Sequence, residues 1–131
     1  MWWNKYINIK FAEKGRDSTG CDCWGLARLI YKNELNIELP DYLDVYNSTN
    51  DTEKLAKVIK EEKEHNWQQP DTGKEFDIII LNMKGRPMHI GVVIKPNYMV
   101  HCSKGVNTAI ERFDSIKWKN RVIGFARYAE K

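Results

Sequence analysis

The feature that most narrows the choice of fold is a change of pattern after Pro70. From there the chain breaks into short runs rich in β-branched and aromatic residues: Phe76 to Asn82, Met88 to Ile94, Tyr98 to Ser103, Thr108 to Phe113 and Val122 to Tyr128. Turn signals separate them at Gly85 to Pro87, Lys95 to Asn97 and Lys104 to Gly105. The first half reads differently. The polar run Tyr46 to Lys54 leads into a segment whose Leu55, Val58 and Ile59 keep helical spacing, with Lys and Glu on a solvated face. Helices first and strands afterwards predict an α+β fold with a mostly antiparallel sheet. At 131 residues, 42% of them hydrophobic, the chain has material for one core and is expected to form a single domain over 1–131.

An earlier helix begins in GCDCWGLARLIY, residues 20 to 31. Cys23, Leu26, Ala27 and Ile30 stand at i, i+3, i+4 and i+7, so Cys23 shares the buried stripe and Cys21 lies outside it. Asp22 is a good N-cap, which makes Cys23 the first helical residue. At that position orphan N–H groups and the helix dipole favour an anion, so a thiol there is expected to ionise readily, above all beside an imidazolium. An inert core cysteine is the plain alternative. A base placed beside it would decide between them.

Parity tells whether His89 and His101 meet. If Ile94 pairs with Tyr98 across a three-residue loop, Gly91 faces His101 and His89 faces Ser103. The two histidines then share a face as diagonal neighbours, about 7 to 8 Å apart at Cα, with no side chain on Gly91 to separate them. A thiol at a helix start, an imidazole on a strand and a second imidazole to orient the first supply the parts of cysteine acyl transfer.

Other classes are narrowed by charge and patterning. A formal net charge of +3 is too small to imply nucleic acid. No apolar run approaches the roughly 18 residues of a membrane span, and the N-terminal MWWNKYINIKF lacks the pattern of a secretory signal. No cofactor is expected. Three cysteines argue against a disulfide framework but leave a zinc site from Cys21, Cys23, His89, His101 or Cys102 as an alternative. Against that, His101 and Cys102 should point to opposite faces of one strand. Trp2, Trp3, Trp67 and Trp118 read as core, His65 as solvent-facing, and Arg121 or Arg127 as possible carboxylate binders.

Asp22 to Leu26, then His89 to Val92, then Val100 and His101, resemble the motif set of NlpC-type papain-like cell-wall peptidases, over about Tyr6 to Arg127. The resemblance implies Cys23 as nucleophile, His89 as general base and His101 as the polar third member. It also implies hydrolysis of peptidoglycan stem peptides, typically between γ-D-glutamate and a diamino acid. Gly15 to Asp17, Trp24, Leu39 to Tyr42 and Val122 to Tyr128 resemble the phage tail-associated branch. That branch implies tail proteins as partners, and a chain made in the cytoplasm and carried to the wall in a virion. Two positions depart from the family pattern: Phe11 stands where a tyrosine is common, and Phe76-Asp77 where Gly-Asp is usual. Phe11 leaves room for a silent wall-binding or tail-assembly protein.

Overall fold

The computed structural model describes residues 1–42, 67–83, 86–103 and 106–128. The polar run Tyr46 to Lys54, the helix expected around Leu55 to Ile59, and His65 lie outside the described residues.

The N-terminal alternation becomes a 3₁₀ turn, Trp2–Tyr6, whose three-residue period buries Trp3 and Tyr6 together. Two short antiparallel strands, β1 (Arg16–Asp17) and β2 (Gly20–Cys21), lead into α1 (Cys23–Ile30). Asp22 caps α1 by accepting from Gly25 N–H at 2.8 Å, as its position predicts. A π-turn, Tyr31–Leu35, continues the helix and stops at Asn36, which takes a left-handed conformation (φ 55°). No helix among the described residues is long and apolar enough to cross a membrane.

The six remaining strands form one sheet. In chain order they are β3 (Trp67–Gln68), β4 (Ile78–Met83), β5 (Arg86–Lys95), β6 (Tyr98–Ser103), β7 (Val106–Arg112) and β8 (Val122–Tyr128). Their spatial order is β3-β8-β4-β5-β6-β7, and every pairing is antiparallel. The fold is the α+β arrangement expected, with one α-helix, among the described residues, on the sheet.

Alternation along the strands separates two apolar layers. Ile78, Ile80, Ile90, Val92, Ile94, Val100 and Cys102 pack with Cys23, Trp24, Leu26, Ala27 and Ile30 of α1. Ile79, Leu81, Val93 and Met99 face the other way and are covered by Trp118, from the loop between β7 and β8.

The β5–β6 hairpin reaches the expected register by a different route. Lys95 pairs with Tyr98 across a two-residue turn, Pro96 and Asn97, with Asn97 at φ 71°. A two-residue turn alone would reverse the parity, but a bulge between Val93 and Lys95 restores it, giving Val93↔Met99 and Val92↔Val100.

Candidate active site

The segment leading into α1 is locked from several sides. Arg16 Nη1 lies 2.9 Å from the fully buried Asp22 carboxylate and its Nη2 donates to Asp41 O at 2.9 Å. Trp24 Nε1 donates to Pro40 O at 2.8 Å, and Arg28 Nε to Leu39 O at 2.9 Å. Gly15 to Asp17, Trp24 and Leu39 to Tyr42 are therefore parts of one clamp that fixes the helix start. Gly25 lets it close, since a Cβ there would sit 1.9 Å from Gly15 O.

Cys23 is 3% exposed. Burial first, then the Asp22 carboxylate, push its thiol up to about 12, against the backbone N–H groups of Ile90 and Trp24 and the Arg16 charge. This corrects the expectation of a thiol ready to ionise: desolvation at the packed helix start outweighs the N-terminal dipole, and the resting group is a neutral thiol. The approach of Ile90 N–H is topological. The β5–β6 ladder runs only as far as Val92↔Val100, so the flank of β5 at His89 to Gly91 is not paired with β6. The sulfur faces the backbone beside His89.

His89 and His101 share the face lined by Ile79, Leu81, Val93 and Met99, as the restored parity requires. His89 Nε2 lies 2.7 Å from His101 Nδ1, with ring centroids 5.0 Å apart. Gly91 makes this possible, because a Cβ there would meet His101 Cβ and Ile79 Cγ2 at 3.2 Å. Burial, then His101 and Lys117, lower His89 from 6.5 to about 3. Burial lowers His101 as well, against the pull of Glu111. Both rings are neutral at neutral pH.

Two further residues complete the cluster. His101 Nε2 lies 2.6 Å from Glu111 Oε2 on β7. Burial pulls the Glu111 carboxyl upward, but the Trp118 indole, His101 and Lys117 outweigh it and hold it below the usual range. Trp118 stacks on His89 at 5.9 Å and meets His101 edge-on at 5.4 Å. Its N–H is buried and makes no well-formed hydrogen bond, so its influence on Glu111 is that of a nearby dipole. Sequence reasoning placed neither at the site, although its reading of Trp118 as core agrees with the 3% exposure found. Glu111 was within reach of parity, lying two positions beyond Ala109, the partner of His101. Trp118 carried no signal, since its place depends on how a loop folds back.

The hydrogen-bonded chain runs His89, His101, Glu111, with the Cys23 thiol outside it. A cleft of about 160 Å³ adjoins it, lined by His101, Glu111, Lys117, Trp118 and Arg121 among others. Arg127, the other arginine considered for carboxylates, instead forks onto Asp77 at 2.9 and 2.7 Å. The zinc alternative finds no support in the geometry: among the described residues no group of three His, Cys, Asp or Glu side chains is placed to hold a metal. Cys102 packs on the α1 side, its sulfur 3.6 Å from Cys21 O, while His101 faces Trp118.

The profile of the NlpC/P60 family matches residues 9–127. The chain belongs to the NlpC/P60 family. Solved structures share the fold at low sequence identity. One, described as similar to a lipoprotein of the NLP/P60 family, is from Staphylococcus aureus subsp. aureus Mu50: TM-score 0.64, 19% identity, 97% of this chain and 39% of that one. The NlpC/p60 domain of the peptidoglycan hydrolase SagA gives 0.61 and 16% over 96% of this chain and 91% of that domain. An NlpC/P60 family protein from Bacillus cereus ATCC 10987 gives 0.60 and 17% over 95% of this chain and 37% of that one. This NlpC/P60 chain thus spans about two fifths of the length of the first and third. No curated protein matches it.

Proposed function

We propose that the chain is a cysteine peptidase of the bacterial cell wall, cleaving amide bonds in peptidoglycan stem peptides between γ-D-glutamate and a diamino acid. Cys23 is the nucleophile, His89 the general base and His101 its orienting partner. The observation that carries this reading is the 2.7 Å contact between the two buried rings, next to a strand backbone that faces the Cys23 sulfur. Membership of a family that includes the peptidoglycan hydrolase SagA supports the substrate class.

In the reaction, His89 takes the thiol proton as the sulfur attacks the scissile carbonyl carbon. The Cys23 backbone N–H, an orphan donor at the start of α1, suits the developing oxyanion. Collapse breaks the C–N bond, and His89 gives its proton to the departing amine, leaving a thioester. Water, deprotonated by His89, then releases the carboxylic acid and restores the thiol. Substrate must displace the balance between two neutral groups, because the resting thiol and imidazole hold no ion pair. Lys117 and Arg121 at the cleft suit the carboxylates of a stem peptide.

A second reading, a catalytically silent wall-binding or tail protein, draws on Phe11, which offers no hydroxyl, and on the buried, raised thiol. Mass spectrometry of muropeptides before and after incubation separates the two. New fragments ending in γ-D-glutamate, absent with Cys23→Ala, support the peptidase; intact muropeptides with retained wall binding support the silent protein. The finer placement, a chain carried by a phage tail and acting at the wall from outside, draws on the Gly15 to Asp17, Trp24 and Leu39 to Tyr42 markers. Immunodetection in purified virions tests it.

A further inference from the structure

A neutral imidazole has one donor nitrogen and one acceptor nitrogen, so a chain of such rings has a direction. The proton between His89 Nε2 and His101 Nδ1, 2.7 Å apart, belongs to one ring or the other, and that contact alone does not say which. The next contact does. His101 Nε2 lies 2.6 Å from Glu111 Oε2, and an ionised carboxylate only accepts. The His101 proton is therefore on Nε2, its Nδ1 is an acceptor, and the shared proton is on His89 Nε2. By the same rule His89 Nδ1 keeps its lone pair.

We propose that Glu111 is a positioning residue which, acting through His101, fixes the tautomer of His89 so that Nδ1 is the basic nitrogen. This rests on the reading of Cys23 and His89 as nucleophile and base. Without the carboxylate both directions of the chain become available. In the reversed one His89 carries its proton on Nδ1 and presents no lone pair to the thiol. The geometry around Glu111 suits such a role. It stands on β7 opposite Met99, one pleat from Ala109, the partner of His101. Its other oxygen lies 3.6 Å from Lys117 Nζ, which keeps a positive charge beside the carboxylate. Trp118, 3% exposed, packs against both rings and limits the room they have to turn.

The test is a long-range ¹H–¹⁵N correlation spectrum of histidine-labelled protein at neutral pH, which reads each ring's tautomer without reference to activity, together with muropeptide cleavage rates. In the wild type, His89 should be protonated at Nε2 and bare at Nδ1. Glu111→Leu should give a mixed or reversed pattern at His89 and lower kcat, by up to about 10⁴-fold if the wrong tautomer prevails, the scale on which a wrong tautomer disables a triad. Glu111→Gln, whose amide oxygen can accept the same bond, should recover the wild-type tautomer and part of the lost rate. A proton on His89 Nδ1 in the wild type would overturn the proposal even if Glu111→Leu does not fold. So would an unchanged tautomer and rate in Glu111→Leu. If the spectra change as stated while no form cleaves muropeptides, the tautomer assignment stands and the peptidase reading falls.

Discussion

Acid should destabilise this protein through His89 in particular. The ring is 5% exposed, and burial, His101 and Lys117 lower it from 6.5 to about 3. In the unfolded chain the same imidazole takes up a proton near pH 6.5, so between there and about pH 3 the unfolded state binds more protons than the folded one. The stability His89 contributes is thus fully present above pH 6.5 and is lost progressively as the pH falls toward 3. At about pH 4.5 the loss spans roughly two pH units at ~1.36 kcal/mol each, or about 2.7 kcal/mol. That is a large share of the 5–15 kcal/mol typical of a domain, about 10 kcal/mol at mid-range. Carboxylates add their own acid sensitivity, so the informative quantity is a difference between two proteins. Urea unfolding at about pH 7 and pH 4.5 would be compared for wild type and His89→Gln, whose amide cannot titrate but can still bond to His101. Wild type should lose about 2.7 kcal/mol more than the variant on acidification. Equal losses, or a His89 ring seen by NMR to titrate near its ordinary value in the folded protein, would refute the reasoning.

If Cys23 and His89 act as one unit, Cys23→Ala, His89→Ala and the double variant should be about equally inactive on muropeptides, with losses that do not add; activity retained in Cys23→Ala ends the enzyme reading. Because the Cys23 thiol is buried and pushed up to about 12, it should react slowly with a thiol reagent at neutral pH in the folded protein and quickly once urea exposes it. Fast labelling of Cys23 alone at about pH 6 would instead restore the thiolate expected from the helix dipole. Arg16→Met leaves the buried Asp22 carboxylate without its guanidinium and should cost about 3 kcal/mol in urea unfolding, with cleavage reduced as the helix start loosens; a loss below about 0.5 kcal/mol would show the cap stands without it.

Much of the site was legible in the residues because its parts obey local rules. An N-cap followed by an amphipathic stripe places Cys23 at the first turn, and that depends only on the residues between Asp22 and Ile30. Strand parity brought His89 and His101 together, because side chains alternate with a fixed period of two. The turn itself was misjudged, three residues expected and two found, yet a bulge left the register unchanged.

The sequence by itself determined the α+β order, the helix start, the strand sequence and the pairing of the two rings, since each is set by patterns over neighbouring residues or by one hairpin. Tertiary structure decided what no local pattern contains. It set the burial that reverses the direction in which Cys23 is shifted, the approach of the Ile90 N–H to the sulfur, and the approach of Glu111 to His101. It also laid the Trp118 loop over both rings. The reason is physical: desolvation and through-space contact depend on every element that packs around a group, and those elements come from distant parts of the chain.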